Sequence, residues 1–148
     1  MYKHILVATD GSALADKAVS AALQLSIACG ASRVTALMVV PDYGTHDVMG
    51  VVFSNGPGLD ELRERLAQAG RERLQEALHR QAPARVRVEP RVVVSDYPYE
   101  EIVRHAESEG CDLIVMASRG RGAAASALLG SQTSHVLSLA KVPVLVVK

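Results

Sequence analysis

The sequence predicts an α/β fold, an open parallel five-stranded sheet with helices on both faces, a three-layer arrangement. Three observations predict it. Short apolar runs rich in β-branched residues alternate with longer segments of helical periodicity. The runs at His4 to Ala8 and Cys111 to Ala117 are apolar along nearly their whole length, as strands buried on both faces are. The order β-α-β-α-β-α-β-α-β supplies one helical crossover per strand pair, which is what parallel strands require. A chain of 148 residues is long enough to bury a sizeable core as one domain, residues 1–148.

His4 to Ala8 reads as the first strand and ends at Thr9-Asp10-Gly11-Ser12. Ser12 is placed to cap a helix in which Ala15, Ala18, Val19, Ala22 and Leu25 recur on one face, and Gly30 stops it. Arg33 to Val40 is the second strand, completing a βαβ unit whose crossover is right-handed. Residues 41–58 break the pattern with Pro, Gly, Asn and Asp, as a flap or functional loop does. His46, Asp47 and Met49 in that loop are too few and too scattered to make a metal site.

Leu59 to Gln81 is an amphipathic helix with Leu62, Leu66, Leu74 and Leu78 inward and its charges, Arg73 among them, on the wet side. Arg85 to Val94 reads as a third strand. Arg87, Glu89 and Pro90 suit it to a sheet edge. Tyr97-Pro98 leads into a helix from Tyr99 to Glu109, with Ile102, Val103 and Ala106 inward and Gly110 as terminator. Cys111 to Ala117 is the fourth strand and the central one. Ser131 to Lys141 is a short helix with Val136, Leu139 and Ala140 inward, and Val144 to Val147 is the last strand. That strand is apolar on both faces and expected at an edge, so a two-fold mate is predicted to cover it, giving a homodimer through the C-terminal strand. No internal repeat is present.

Sixteen basic residues cancel sixteen acidic ones, and the chain has one Phe, four Tyr and no Trp. Neither a basic field nor aromatic stacking platforms exist for nucleic acid, which is excluded as a partner. No apolar run is long enough for a transmembrane helix, and the first strand begins within a few residues of Met1, leaving no room for a signal peptide. No membrane association is expected. Cys29 and Cys111 stand far apart with no partner at metal spacing, and are expected to be buried, reduced thiols of a cytoplasmic protein.

Ligands of open α/β sheets bind beyond the carboxyl ends of the strands. Those ends are Ala8-Thr9-Asp10, Val39-Val40 and Met116-Ala117. Asp10 is the acidic side chain at these tips, either a hydrogen-bond partner for a ribose or base, or a turn former for the first helix. The stretch Met116 to Val136 places glycines, arginines and small residues between a strand and a helix start. Gly120 and Gly122 permit convergent N–H groups, Arg119 and Arg121 can reach phosphate oxygens, and Ser131 heads a helix whose positive end favours anions.

The chain resembles the universal stress protein family over nearly its whole length. The matching stretches are ILVATDGS (5–12), CDLIVMAS (111–118), GRGAAASALLGS (120–131) and KVPVLVV (141–147). The family's ATP-binding members carry Gly-x2-Gly-x9-Gly-Ser/Thr. Here the second and third glycines are Gly120 and Gly130, followed by Ser131, and Ala117 stands in place of the first. The resemblance implies a Rossmann-like, adenine nucleotide alpha hydrolase-like fold with strand order 3-2-1-4-5, often dimeric through the last strand. It also implies bound ATP. Asp10 and the Val39 backbone would contact adenine, Ala8 and Ala117 would border the ribose, and Met116 would be among the nucleotide-binding residues. Gly120, Arg121, Gly130, Ser131 and Gln132 would hold the phosphates, with Mg2+ or Mn2+ bridging phosphate oxygens.

No Walker A lysine, nucleophile elbow, paired carboxylates or metal-spaced histidines appear. His135 reads as a surface helix residue rather than a base. The sequence therefore favours a nucleotide-binding regulatory protein that is not an enzyme. A dimeric interaction module without nucleotide, suggested by Ala117, is the alternative, and a slow ATPase is the third.

Overall fold

A computed structural model describes residues 1–42, 58–83, 85–120 and 128–148. Within them nine elements follow in order: β1 (His4–Thr9), α1 (Ala13–Cys29), β2 (Arg33–Val40), α2 (Leu59–Gln81), β3 (Val88–Val94), α3 (Pro98–Ser108), β4 (Leu113–Ala117), α4 (Ser131–Leu139) and β5 (Val144–Val147). The strands form one parallel sheet in the order β3-β2-β1-β4-β5. The order reverses between β1 and β4, which opens a crevice at their carboxyl ends.

The pleat divides the core in two. Ile5 and Val7 of β1 pack with Val34, Ala36, Val115 and the inner residues of α1 and α2. Leu6 and Ala8 face the other way, with Leu37, Ile114, Met116, Ile102 of α3 and Val136 of α4. Every residue of β1 and β4 is buried, as their apolar sequences require. β3 and β5 are the edges, and Pro90 sits in β3, where one missing donor costs no ladder bond on the open side.

Local signals set the ends. The Ser12 hydroxyl accepts from the Ala15 N–H at 3.2 Å, and Gly30 closes α1 in the left-handed conformation, φ 65°. Gly70 lies buried in mid-α2, where a Cβ would stand 2.8 Å from both Val40 Cγ2 and Val92 Cγ1. The helix therefore rests on the sheet by its backbone there.

Several expectations need correction. β3 begins at Val88, not Arg85, because the Val86 N–H is turned back to the Pro83 carbonyl at 3.0 Å. β4 begins at Leu113 because the Cys111 N–H closes the end of α3 on the Ala106 carbonyl. α4 ends at Leu139, where Ala140 turns extended. Leu139 is 51% exposed, and Thr133 takes the inward place expected of it. Leu62 and Leu66 are only partly covered, so α2 is buried through its second half. Cys29 is half-buried rather than buried.

Candidate functional site

The β1–β4 crevice is a cavity of about 530 Å³. Ala8, Asp10, Val39, Met116, Ala117, Gly120, Gly130, Ser131 and Gln132 all line it, as does Arg119. Arg121 lies outside the described residues, as do Gly122 and the loop residues His46, Asp47 and Met49. Chain segments more than a hundred residues apart in sequence thus meet at one place, because β1 and β4 are neighbours in the sheet.

The phosphate-side loop is held by backbone contacts. The Ser118 N–H donates to the Val147 carbonyl at 2.7 Å, and the Gly130 N–H donates to the Ser118 carbonyl at 2.8 Å. The Thr133 hydroxyl donates to the Ala117 carbonyl at 3.0 Å, which fixes the first turn of α4 against the end of β4. A Cβ on Gly130 would lie 3.4 Å from Arg119 Cα and 3.6 Å from the Ser118 carbonyl oxygen, which is ordinary van der Waals contact. Gly130 caps α4 without a side-chain hydrogen bond. The first-turn N–H groups of Ser131, Gln132 and Thr133 remain at the cavity wall for an anion.

Asp10 stands opposite. Its Oδ1 accepts the Ser12 N–H at 2.9 Å in a local turn, and its Oδ2 faces Gly120, where a Cβ would come within 2.8 Å. The turn-forming role is therefore realised, with one carboxylate oxygen directed to the loop. Gln132 is also positioned: its Oε1 accepts the Tyr99 N–H of α3 at 3.0 Å, which leaves its amide NH2 as donor. Ala117 is the last residue of β4, paired with Val147 in the sheet, so its backbone is extended. The position makes no demand for a left-handed conformation, and glycine is not required there on that ground.

His135 is exposed on α4 with its ring against Tyr99, centroids 4.6 Å apart. It does not line the cavity. Cys111 lies at the far end of the sheet in a buried polar cluster with His4, Thr35 and Glu109. Burial, reinforced by Glu109, pushes its thiol up to about 12, so it is no nucleophile at neutral pH. Among the described residues no group of three His, Cys, Asp or Glu is arranged to hold a metal, and no helix is long and apolar enough to cross a membrane.

Two polar lining residues escaped the sequence reading. Thr133 is hidden as a polar residue that turns inward. Arg73 stood among the solvated charges of α2 yet reaches the cavity wall. The signal for it was Gly70, a glycine within an otherwise strong helix three residues earlier.

The family model described as "Universal stress protein family" matches residues 1–148. A universal stress protein of Thermus aquaticus is 36% identical over 150 residues, covering 100% of both chains. Among solved structures, protein MJ0577 of Methanocaldococcus jannaschii superposes with TM-score 0.79 at 33% identity, over 100% of this chain and 96% of that one. A universal stress protein in complex with cAMP aligns with TM-score 0.62 at 24% identity, over 99% of this chain and 97% of that one, a likeness that carries the fold alone.

Proposed function

The chain belongs to the universal stress protein family, and from that premise we propose that its strand-tip cavity binds an adenine nucleotide, ATP foremost, as a regulatory ligand. One observation carries the reading. The uncapped first turn of α4, Gly120, Gly130 and the Asp10 carboxylate converge on a single cavity. Backbone N–H groups at the α4 terminus suit phosphate, and the apolar floor of Ala8, Val39 and Met116 suits a base and ribose. The cAMP bound by one protein of this fold is consistent with the same ligand class.

The donor set fits phosphate oxygens and not a divalent ion held by protein alone. Mg2+ or Mn2+ would be carried on the phosphates, neutralising their charge. Phosphoryl transfer needs an oriented water or base. Asp10 is committed through Oδ1 to the Ser12 N–H, and His135 is stacked on Tyr99 outside the cavity. The reading is therefore binding with little or no hydrolysis. The cytoplasm, where adenine nucleotides are abundant, is the compartment it implies.

We further read β5 as the seam of a homodimer: it is an outer strand, and Leu145 is 40% exposed on it. The interaction module without nucleotide has only Ala117 in its favour, and the extended backbone there weakens that argument.

The test is thermal melting with and without Mg-ATP. A ligand at a hundredfold over its Kd adds about 2.7 kcal/mol, a shift of several degrees in a chain of this size. The shift should vanish in Gly130→Val, whose Cβ would already touch the Arg119 Cα at 3.4 Å and whose methyl branches would crowd the backbone at the cavity wall. No shift in the natural protein at millimolar ATP would sink the reading.

A further inference from the structure

The cavity continues past the α3–α4 face of the sheet. Ala15, Met38, Val40 and Arg73 carry it over the strand tips onto the α1–α2 face. Arg73 belongs to α2, which Gly70 lets down onto Val40 and Val92 one turn earlier. Side chains on a helix slant toward its N-terminus, and α2 runs antiparallel to the strands, so Arg73 is directed back to the strand tips. Its neighbours on the helix are neutralised: Arg63, Arg65, Arg71 and Arg80 form ion pairs with Asp42, Glu61, Glu64 and Glu76. Arg73 has no ion pair or hydrogen bond among the described residues.

We propose that Arg73 is the contact for a second anionic group, so that the cavity takes a nucleotide phosphorylated at two separated positions, the 5′ oxygen and a 2′ or 3′ oxygen. This rests on the nucleotide reading above. The α4 terminus attracts one phosphate on one face of the sheet, and the Arg73 guanidinium attracts another on the opposite face. Asp10, at the end of β1, turns its Oδ2 toward Gly120, and its carboxylate offers no donor to a phosphate. The forked guanidinium donors match phosphate oxygens.

Titration calorimetry on the full chain decides the matter, with AMP, adenosine 2′,5′-bisphosphate and adenosine 3′,5′-bisphosphate as probes. One bisphosphate should bind about tenfold more tightly than AMP, the effect of one charge-assisted contact. Which isomer does so identifies the oxygen. In Arg73→Gln the ratio of the two affinities should fall to about one, and in Arg73→Lys to an intermediate value. AMP binding without a bisphosphate preference, or a preference that survives in Arg73→Gln, overturns this inference and leaves the nucleotide reading standing. Failure of all three probes to bind a chain whose melting temperature Mg-ATP does raise overturns this inference alone, and failure without that shift overturns both.

Discussion

Gly120 lies so close to Asp10 that a Cβ built on it would stand 2.8 Å from the Asp10 Oδ2. The carboxylate cannot retreat freely, since its other oxygen holds the Ser12 N–H at the start of α1. Gly120→Ala should therefore displace the carboxylate, weaken ATP binding about tenfold or more, and cost roughly 1 kcal/mol through the disturbed turn. Calorimetry and urea unfolding of the same variant read the two effects separately.

Ala117→Gly addresses the departure from the family's glycine pattern. The residue is a paired, buried member of β4. Glycine there should lower stability by about 0.5–1 kcal/mol, through backbone entropy and the lost methyl. ATP affinity is expected to change less than about threefold, far below what one charge-assisted hydrogen bond contributes. A large gain in affinity would instead show that the methyl obstructs the cavity.

Gly70→Val tests the contact between α2 and the sheet. Its branches would meet Val40 and Val92, which are themselves stiff at χ1 and cannot swing aside. Overpacking of this kind costs about 2 kcal/mol. The gain in helix propensity over glycine is smaller, so the variant should unfold at lower urea concentration with an unchanged slope.

The sheet's opposite end predicts a pH response. His4 is 6% exposed, its Nε2 is 2.9 Å from the Thr35 hydroxyl, and the Arg33 guanidinium lies against its ring. Burial first and the Arg33 charge second hold its pKa below the usual 6.5, although Glu109 and Glu89 pull the other way. The unfolded chain binds this proton more readily than the folded one. Stability is therefore complete above pH 6.5 and is lost as pH falls from there through the depressed folded value. Urea midpoints at about pH 7 and about pH 5.5 should differ less in His4→Gln than in the natural protein. An unchanged difference would show that other groups carry the response.

Much of the fold was legible because its signals are local. α2 and β5 begin and end where periodicity, flanking glycine and proline put them. The strand ends were less legible where long-range contacts decide them. Asp112 reads as strand in sequence and its N–H does donate to the His4 carbonyl at 2.9 Å, yet its carboxylate also accepts the Lys3 and His4 N–H groups at 2.8 and 3.2 Å, contacts that no local pattern encodes. The site shows the same division. Gly120, Gly130 and Ser131 were visible from spacing, whereas the Gln132 side chain is oriented by Tyr99, 33 residues away, and no local pattern encodes that. Arg73 was hidden for the same reason, since its role depends on where another helix face comes to rest.

Two hydrogen bonds described above run in series, from the Val147 carbonyl to the Ser118 peptide and from there to the Gly130 N–H. Val147 ends the outermost strand, and Gly130 heads the helix whose terminus faces the cavity. The head of α4 is therefore tied to the end of β5 through the end of β4. A shift of the helix head by even a fraction of a hydrogen-bond length must either break one of these links or tug the molecule's rim. Tension imposed at the rim travels back along the same two links.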